Sequence, residues 1–171
     1  GDDGPEFRPA KLADLWGFAE SQETVGISPT MFAEFVLPYQ LPILQKFGLN
    51  CYGCCEQLHS RIDHVLAVPR LRRVSVSPWA DQRIMAEHMD KGIIFSRKPN
   101  PTIICMDFDE DRIRRDLRET LQHARGRPLE IIMKDTHTVQ KEPWRIERWV
   151  RLAMDEVGRS SGAGAIDDWT G

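Results

Sequence analysis

The sequence predicts an α/β protein built on a parallel sheet, because short apolar runs alternate with segments of helical spacing. Each β-branched or apolar run is typical of a buried strand, and each is followed by a helix candidate. Four or five such units in succession favour parallel strands joined by right-handed crossovers. The predicted strands are 47–53, 73–77, 92–96 and 129–134, with 12–18 as a fifth candidate.

The helices are predicted from their first residues and their apolar stripes. Pro38 and Pro42 interrupt the first helix and are expected to kink or divide it. Asp109 can cap the fourth helix, and Gly126 is placed to end it. The five predicted helices begin near Ser28, Gln57, Asp81, Asp109 and Pro143.

Length and composition indicate one domain. The chain has 171 residues, of which 41% are hydrophobic and 29% are charged, enough for one core. A formal charge of -3 and a pI near 6.0 argue against nucleic acid or an anionic membrane as partners. No apolar run reaches the length of a spanning helix, and the first residues lack a signal peptide, so we expect a cytoplasmic protein. We expect a tail at 1–9, a domain at 10–157 and a flexible tail at 158–171.

Two architectures suit alternating strands and helices. An open, doubly wound sheet of five strands fits the length of this chain. A (β/α)8 barrel usually needs about 250 residues, so the chain would supply only its carboxyl-terminal portion. Length alone therefore favours the open sheet.

Three of the four cysteines lie within five residues, directly after a predicted strand. The carboxyl ends of parallel strands share one edge of the sheet, where loops carry reactive groups. Thiols crowded at such an edge indicate a metal or redox site, and a reducing compartment disfavours disulfides. Two further interpretations stay open. The cysteines could be small buried hydrophobes, and Cys51 with Cys54 has the CxxC spacing of redox proteins.

Polar residues follow the remaining predicted strands and are expected to converge on the same edge. Those at the later strand ends are Ser75, Ser77, Trp79, Asp81, Lys98, Asn100, Lys134, Asp135 and His137, while Glu20 and Glu23 follow the first strand. Each could instead have a purely structural role. Asp81 could cap a helix beside Trp79, and Lys134 could pair with Asp135. Glu23 could form an ion pair, and His137 could be solvated. Lys98 and Asn100 could belong to a rigid turn that contains two prolines.

Three stretches carry a family resemblance that covers residues 10–157. They are Ser21-Gln22-Glu23 with Ile27-Ser28-Pro29 and 35–39, the thiol-rich strand end, and Lys134-Asp135-Thr136-His137 before a Pro-initiated helix. The chain thereby resembles the carboxyl-terminal half of the uroporphyrinogen decarboxylase superfamily, whose members are (β/α)8 barrels. The resemblance implies parallel units of such a barrel and overrides the preference from length. The remaining units would precede Gly1, so the chain would be a fragment, a truncated homologue or half of an oligomer.

The superfamily includes decarboxylases and corrinoid-linked zinc methyltransferases. The resemblance, together with the three neighbouring cysteines, favours a methyltransferase. Such an enzyme would move a methyl group between a small methylated substrate or a thiol and a corrinoid protein. Its zinc ligands would come from Cys54, Cys55, Glu56 and His137, with Cys54 first. Relatives hold zinc with His-x-Cys at one strand end and a further ligand at a later one, whereas here the cysteines come first and the histidine later.

The same resemblance assigns roles to the remaining polar residues. The candidate catalytic residues are Glu23, Asp81, Lys134 and Asp135, and the candidate substrate-binding residues are Ser77, Trp79, Lys98 and Asn100. Porphyrinogen decarboxylation is the alternative activity, although it does not call for a thiol cluster. A noncatalytic module that binds a tetrapyrrole or a corrinoid is the third possible function.

Overall fold

The computed structural model describes residues 9–162 and contains one sheet of five parallel strands. All four predicted strands and the fifth candidate are present, with ends shifted by a few residues. The strands are β1 Trp16–Ala19, β2 Leu49–Tyr52, β3 Leu71–Val76, β4 Ile94–Arg97 and β5 Leu129–Ile131.

The strands lie side by side in the order in which they follow one another in the chain, β1-β2-β3-β4-β5. A doubly wound sheet reverses its strand order at a switch point, and residues 9–162 contain no such reversal. The arrangement is therefore a run of parallel β/α units and not the doubly wound order that length alone favours.

Seven α-helices connect or follow the strands within residues 9–162: α1 Pro29–Phe35, α2 Leu37–Leu44, α3 Ile62–Val65, α4 Gln82–His88, α5 Thr102–Cys105, α6 Glu110–His123 and α7 Trp144–Ser160. The predicted cap at Asp109 is confirmed, because its side chain accepts a hydrogen bond from the backbone N–H of Arg112. The predicted helix start at Ser28 is confirmed too, and the Ser28 side chain caps α1 by accepting from the backbone N–H of Met31. The first helix is divided at Val36, with Pro38 in the first turn of α2, whereas Pro42 lies inside α2. Gly126 has a positive φ of 76° after α6.

Three helix predictions need correction. The helix predicted over 57–68 is a 3-10 turn, Leu58–Ser60, followed by the short α3. Arg61 lies outside helical geometry between them, and its buried guanidinium donates to the carbonyl oxygens of Thr24 and Ile27. Helix α5 was not predicted, because only a turn was expected there. Helix α7 continues to Ser160, so the predicted tail begins too early; residues 1–8 and 163–171 of the predicted tails lie outside the described residues.

One face of the sheet packs against helices. Tyr52, Val74, Val76 and Phe95 from the strands are fully buried. They share a cluster with helix residues that include Phe32, Leu44, Ile62 and Met85. A second cluster joins α5, α6 and α7 through Ile104, Ile113, Leu117, Trp149 and Leu152. The apolar stripes predicted for α6 and α7 form this second cluster.

A second set of strand side chains is polar. Arg73 on β3 forms an ion pair with Glu130 on β5, with 2.8 Å between Nε and Oε1, and its guanidinium lies 4.9 Å from the ring centre of Trp16. Ser96 on β4 donates to the same Glu130 oxygen at 2.5 Å. Because side chains alternate along a strand, these residues lie on the face opposite Val74 and Phe95. We call this set the polar face.

Among residues 9–162, no helix combines the length and the apolar character that crossing a bilayer requires.

Candidate functional site

The cysteine cluster begins where β2 ends, at a turn that favours glycine. Gly53 has a φ of +93°, a backbone conformation that residues other than glycine rarely adopt. A Cβ atom at this position would lie 2.4 Å from Cδ1 of Leu58. The chain has therefore left the strand before Cys54, and strand alternation no longer sends Cys54 and Cys55 to opposite sides.

A buried glutamate holds the turn in place. Glu56 is 3% exposed, and its two carboxylate oxygens accept hydrogen bonds from the backbone N–H of Ser21 at 2.9 Å and of Cys54 at 2.7 Å. On the other side of Cys54, the hydroxyl of Ser75 donates to the Cys54 carbonyl oxygen at 2.8 Å. The backbone of Cys54 is thus held on both sides, through Glu56 to Ser21 after β1 and directly by Ser75 on β3. The thiol is attached to an ordered stretch of backbone.

Two residues that follow β5 meet the two thiols. Nζ of Lys134 donates to Sγ of Cys54 at 2.9 Å, and Sγ of Cys55 donates to Oδ2 of Asp135 at 3.2 Å. The two sulfur atoms are 3.6 Å apart, and the ammonium lies 3.6 Å from the same Asp135 oxygen. Asp135 has a positive φ of 58°, in the region that aspartate tolerates better than most residues. The four side chains form what we call the thiol cluster.

The protonation of the thiol cluster follows from these contacts. Burial raises the pKa of the Cys54 thiol to about 11, and the neighbouring Glu20 carboxylate adds to the rise, while Lys134 acts against it. The pKa of Lys134 rises despite desolvation, because the thiols accept its hydrogen bonds. At neutral pH the cluster therefore holds a thiol beside an ammonium group.

Glu20 is a site residue that the sequence reasoning placed at the right edge but did not select. One oxygen of its carboxylate is buried without a hydrogen-bond partner among residues 9–162. Glu23, which was selected, lies in a 3-10 turn, Gln22–Thr24, and is exposed. Both residues follow β1, and only the direction of the backbone after the strand distinguishes them.

The polar face continues from the thiol cluster toward the centre of the sheet. Lys98 donates to the hydroxyl of Ser96, and burial lowers the pKa of Lys98. Burial raises the pKa of the Cys51 thiol, whereas Arg73 and Lys98 act against that rise. Arg73 and Glu130 were not selected from the sequence, although charged side chains inside a predicted strand were the available signal. The predicted substrate-binding residue Lys98 does lie in this network.

The other predicted substrate and catalytic residues make local contacts. Asp81 caps α4 by accepting from the backbone N–H of Ile84 at 3.0 Å, and Asn100 accepts from the backbone N–H of Thr102 at 3.0 Å. Trp79 is 65% exposed. The buried Ser77 accepts a hydrogen bond from Arg97 at its carbonyl oxygen. The structural explanations given for Asp81 and for the turn at Asn100 therefore hold, and none of these four residues contacts the thiols through a hydrogen bond within residues 9–162.

The four predicted zinc ligands are brought together only in part. Two thiolates on one tetrahedral zinc ion, with bonds of about 2.3 Å, lie about 3.7 Å apart. The measured separation of 3.6 Å between Cys54 and Cys55 fits this value. Both carboxylate oxygens of Glu56 accept hydrogen bonds from backbone N–H groups. His137 is exposed and makes no hydrogen bond to either thiol. Within residues 9–162 no three His, Cys, Asp or Glu side chains form a metal-binding group. The thiol pair fits zinc, and the full set of four is not assembled.

Comparisons with protein-family models, with curated proteins and with solved structures find no significant match to this chain. The resemblance to the uroporphyrinogen decarboxylase superfamily consequently stays a prediction from the sequence. The thiol cluster and the polar face beside it are the features of the described chain that bear on function.

Proposed function

We propose that this chain is part of a (β/α)8 barrel enzyme that transfers a methyl group at the thiol cluster, between a small methylated substrate or thiol and a corrinoid protein. The observation that carries the proposal is the convergence of Cys54 and Cys55 with Lys134 and Asp135, 80 residues away in the chain. Once deprotonated, cysteine thiols are strong nucleophiles, and here they lie at the edge where α/β proteins carry chemistry.

The barrel part of the proposal is supported by strand order and by exposed apolar side chains. Sequential parallel strands are the order of a (β/α)8 barrel. Both outer strands, β1 and β5, have an unpaired edge in the described chain, and unpaired edges favour further pairing. Apolar side chains are exposed beside both edges: Trp16, Phe18 and Leu49 near β1, and Ile132, Val150 and Met154 near β5. Additional β/α units would cover them.

In the proposed reaction, the residues of this chain position the thiols and manage protons. Glu56 and Ser75 hold the backbone of Cys54, and Lys134 contacts its sulfur, which together would position the sulfur toward a methyl group. The Lys134 ammonium can donate a proton to a heteroatom that loses its methyl group. Zinc held by Cys54 and Cys55 would supply a Lewis acid and lower the thiol pKa. The polar face, with Arg73 and Lys98, would contact the substrate.

The test measures zinc content and methyl transfer to free cob(I)alamin from a panel of methylated amines and thiols. We expect transfer by the wild-type protein, a loss of at least about 100-fold in Cys54→Ser, and no change in Cys105→Ser, whose thiol lies on α5. Equal transfer by wild type and Cys54→Ser would refute the proposal. Consumption of a porphyrinogen by protein in which Cys54 is replaced would favour decarboxylation. Corrinoid or porphyrin binding without turnover would favour the noncatalytic module.

A further inference from the structure

We propose that Cys54 and Cys55 form a reversible disulfide between adjacent residues when the protein meets a peroxide, and that neither thiol can react until this bond is reduced. The sulfur atoms are already 3.6 Å apart, and both side chains are partly accessible. No other pair of cysteine sulfurs in residues 9–162 makes such a contact. The proposal depends on this geometry and not on the methyl-transfer reaction.

The local backbone brings the two sulfurs together. Neighbouring residues in a strand point to opposite faces, which would separate the thiols. The positive φ of Gly53 ends that alternation, and the hydrogen bonds of Glu56 and Ser75 then hold Cys54 on both sides. Lys134 and Asp135 reach the two sulfurs from the same segment after β5. Both thiols are therefore turned toward one small region of the molecule.

The oxidation balances with peroxide as the oxidant. The sulfur of Cys54 attacks one oxygen of hydrogen peroxide, and the O–O bond breaks. The leaving hydroxide takes up the Cys54 thiol proton and departs as the first water, and Cys54 becomes a sulfenic acid. The sulfur of Cys55 then attacks the sulfur of Cys54 while the Cys55 proton passes to Asp135. The S–O bond breaks, and the leaving hydroxide takes that proton from Asp135 and departs as the second water. Two thiols and one peroxide give one disulfide and two waters. The sulfurs lose two electrons, which the peroxide oxygens gain.

The same geometry predicts that the bond is easily reduced. Adjacent Cα atoms are about 3.8 Å apart across a trans peptide, whereas disulfides usually join Cα atoms about 4.4 to 6.8 Å apart. A bond formed across so short a span is strained, and strained disulfides have the higher reduction potentials of labile, regulatory bonds. A mild thiol reductant should therefore restore both cysteines.

Peptide mass spectrometry after brief treatment with hydrogen peroxide tests the proposal. We expect the peptide with Cys54 and Cys55 to lose two hydrogen atoms in mass and to resist alkylation, and dithiothreitol to reverse both changes. Cys105→Ser should behave like the wild type, and Cys54→Ser and Cys55→Ser should each lose the response. A disulfide that joins other cysteines or two chains would overturn the proposal. So would direct conversion of the pair to sulfinic acids.

A second probe tests the pairing of the two thiols in the wild-type protein, without any substitution that could disturb folding. Phenylarsine oxide bridges two neighbouring thiols without requiring a sulfur–sulfur bond. We expect it to bind the folded wild-type protein one to one and to protect both cysteines from alkylation. If phenylarsine oxide bridges the two thiols but peroxide forms no disulfide between them, the reversible disulfide is refuted, although the two thiols do lie together. Since neither readout uses a methyl donor, failure of the disulfide and failure of methyl transfer are distinguishable.

Discussion

Two glutamates are buried to the same extent, each 3% exposed, yet their partners differ in kind. Glu156 on α7 accepts hydrogen bonds from the guanidinium groups of Arg114 and Arg118 on α6, at distances of 2.7 to 3.0 Å. Glu56 beside the thiol cluster accepts from the backbone N–H groups of Ser21 and Cys54. The first carboxylate joins two helices through charge, whereas the second joins two loops through backbone geometry.

The difference separates a contact that stabilises the helices from one that orders the backbone beside a thiol. The hydrogen bonds from Arg118 and Arg114 lower the pKa of Glu156, which therefore stays ionised in the folded protein over a wide pH range. Around Glu56, the hydrogen bonds determine where a thiol lies. We therefore expect changes at Glu156 to alter unfolding more than thiol chemistry, and changes at Glu56 to alter the local order of the thiol cluster.

The largest expected effect is that of Glu156→Ala. It removes the shared acceptor of two arginines, and the side chain of Arg114 is only 18% exposed. Removing one partner of a buried ion pair costs about 3 kcal/mol, so urea unfolding should show a loss of that order. The control on the same helix is Glu147→Ala, which breaks an ion pair with Arg151 that is 65% exposed on both sides and should cost about 0.5 kcal/mol or less. Equal losses in both variants would contradict the assignment.

A comparison of two glycines gives the next largest effect. Gly53→Ala places a Cβ 2.4 Å from Leu58 at a φ of +93°, whereas Gly126→Ala has a φ of +76° and no atom within 4 Å. We expect a loss of about 2 to 3 kcal/mol at position 53 and about 1 kcal/mol at position 126, because both strain the backbone and only one also clashes. Urea unfolding measures both losses. A larger loss at Gly126 would show that the turn before Cys54 is not constrained as described.

Glu56→Gln should have a smaller global and a distinct local effect. The amide retains one carbonyl acceptor and turns an NH2 group toward the second backbone N–H, so one hydrogen bond is lost. We expect about 1 to 2 kcal/mol of destabilisation and faster hydrogen exchange at the amides of Ser21 and Cys54. Glu156→Gln serves as the matched control and should leave exchange at these two amides unchanged. Unchanged exchange in Glu56→Gln would rule out the positioning role.

The two glutamates also show what the sequence can and cannot predict. The strands, the helix start at Ser28, the cap at Asp109, and the apolar stripes of α6 and α7 depend on local spacing, and all were predicted. Glu56 was predicted as a metal ligand because its residue type fits that role. Its oxygens already accept hydrogen bonds from backbone N–H groups, because of the way in which the ends of β1 and β2 meet. A local sequence pattern cannot predict that meeting.

Convergence was predictable at the level of segments and less so at the level of residues. Parallel strands bring their carboxyl ends to one edge, so segments 54–55 and 134–135 were expected to meet, and their side chains do so. The sequence alone could not show that Glu20 and not Glu23 lies near the thiols, or that Lys134 and not His137 contacts them. Both distinctions depend on the direction that the backbone takes after a strand ends. After β5, that direction depends on the positive φ of Asp135, a conformation that the sequence does not predict.

The smallest expected effect concerns the charges that act on Cys54. Lys134 lowers the pKa of this thiol and Glu20 raises it, so their replacements should act in opposite directions. Lys134→Met should raise the pKa above about 11 and slow alkylation of Cys54 by iodoacetamide a few-fold at pH 9, because less thiolate is present. Glu20→Gln should lower the pKa and accelerate the same reaction, as followed by peptide mass spectrometry. Alkylation of Cys105 is the internal control, since neither substitution changes its surroundings. If both variants shifted the rate in the same direction, general loosening of the edge would explain the result, and the opposed charges would not.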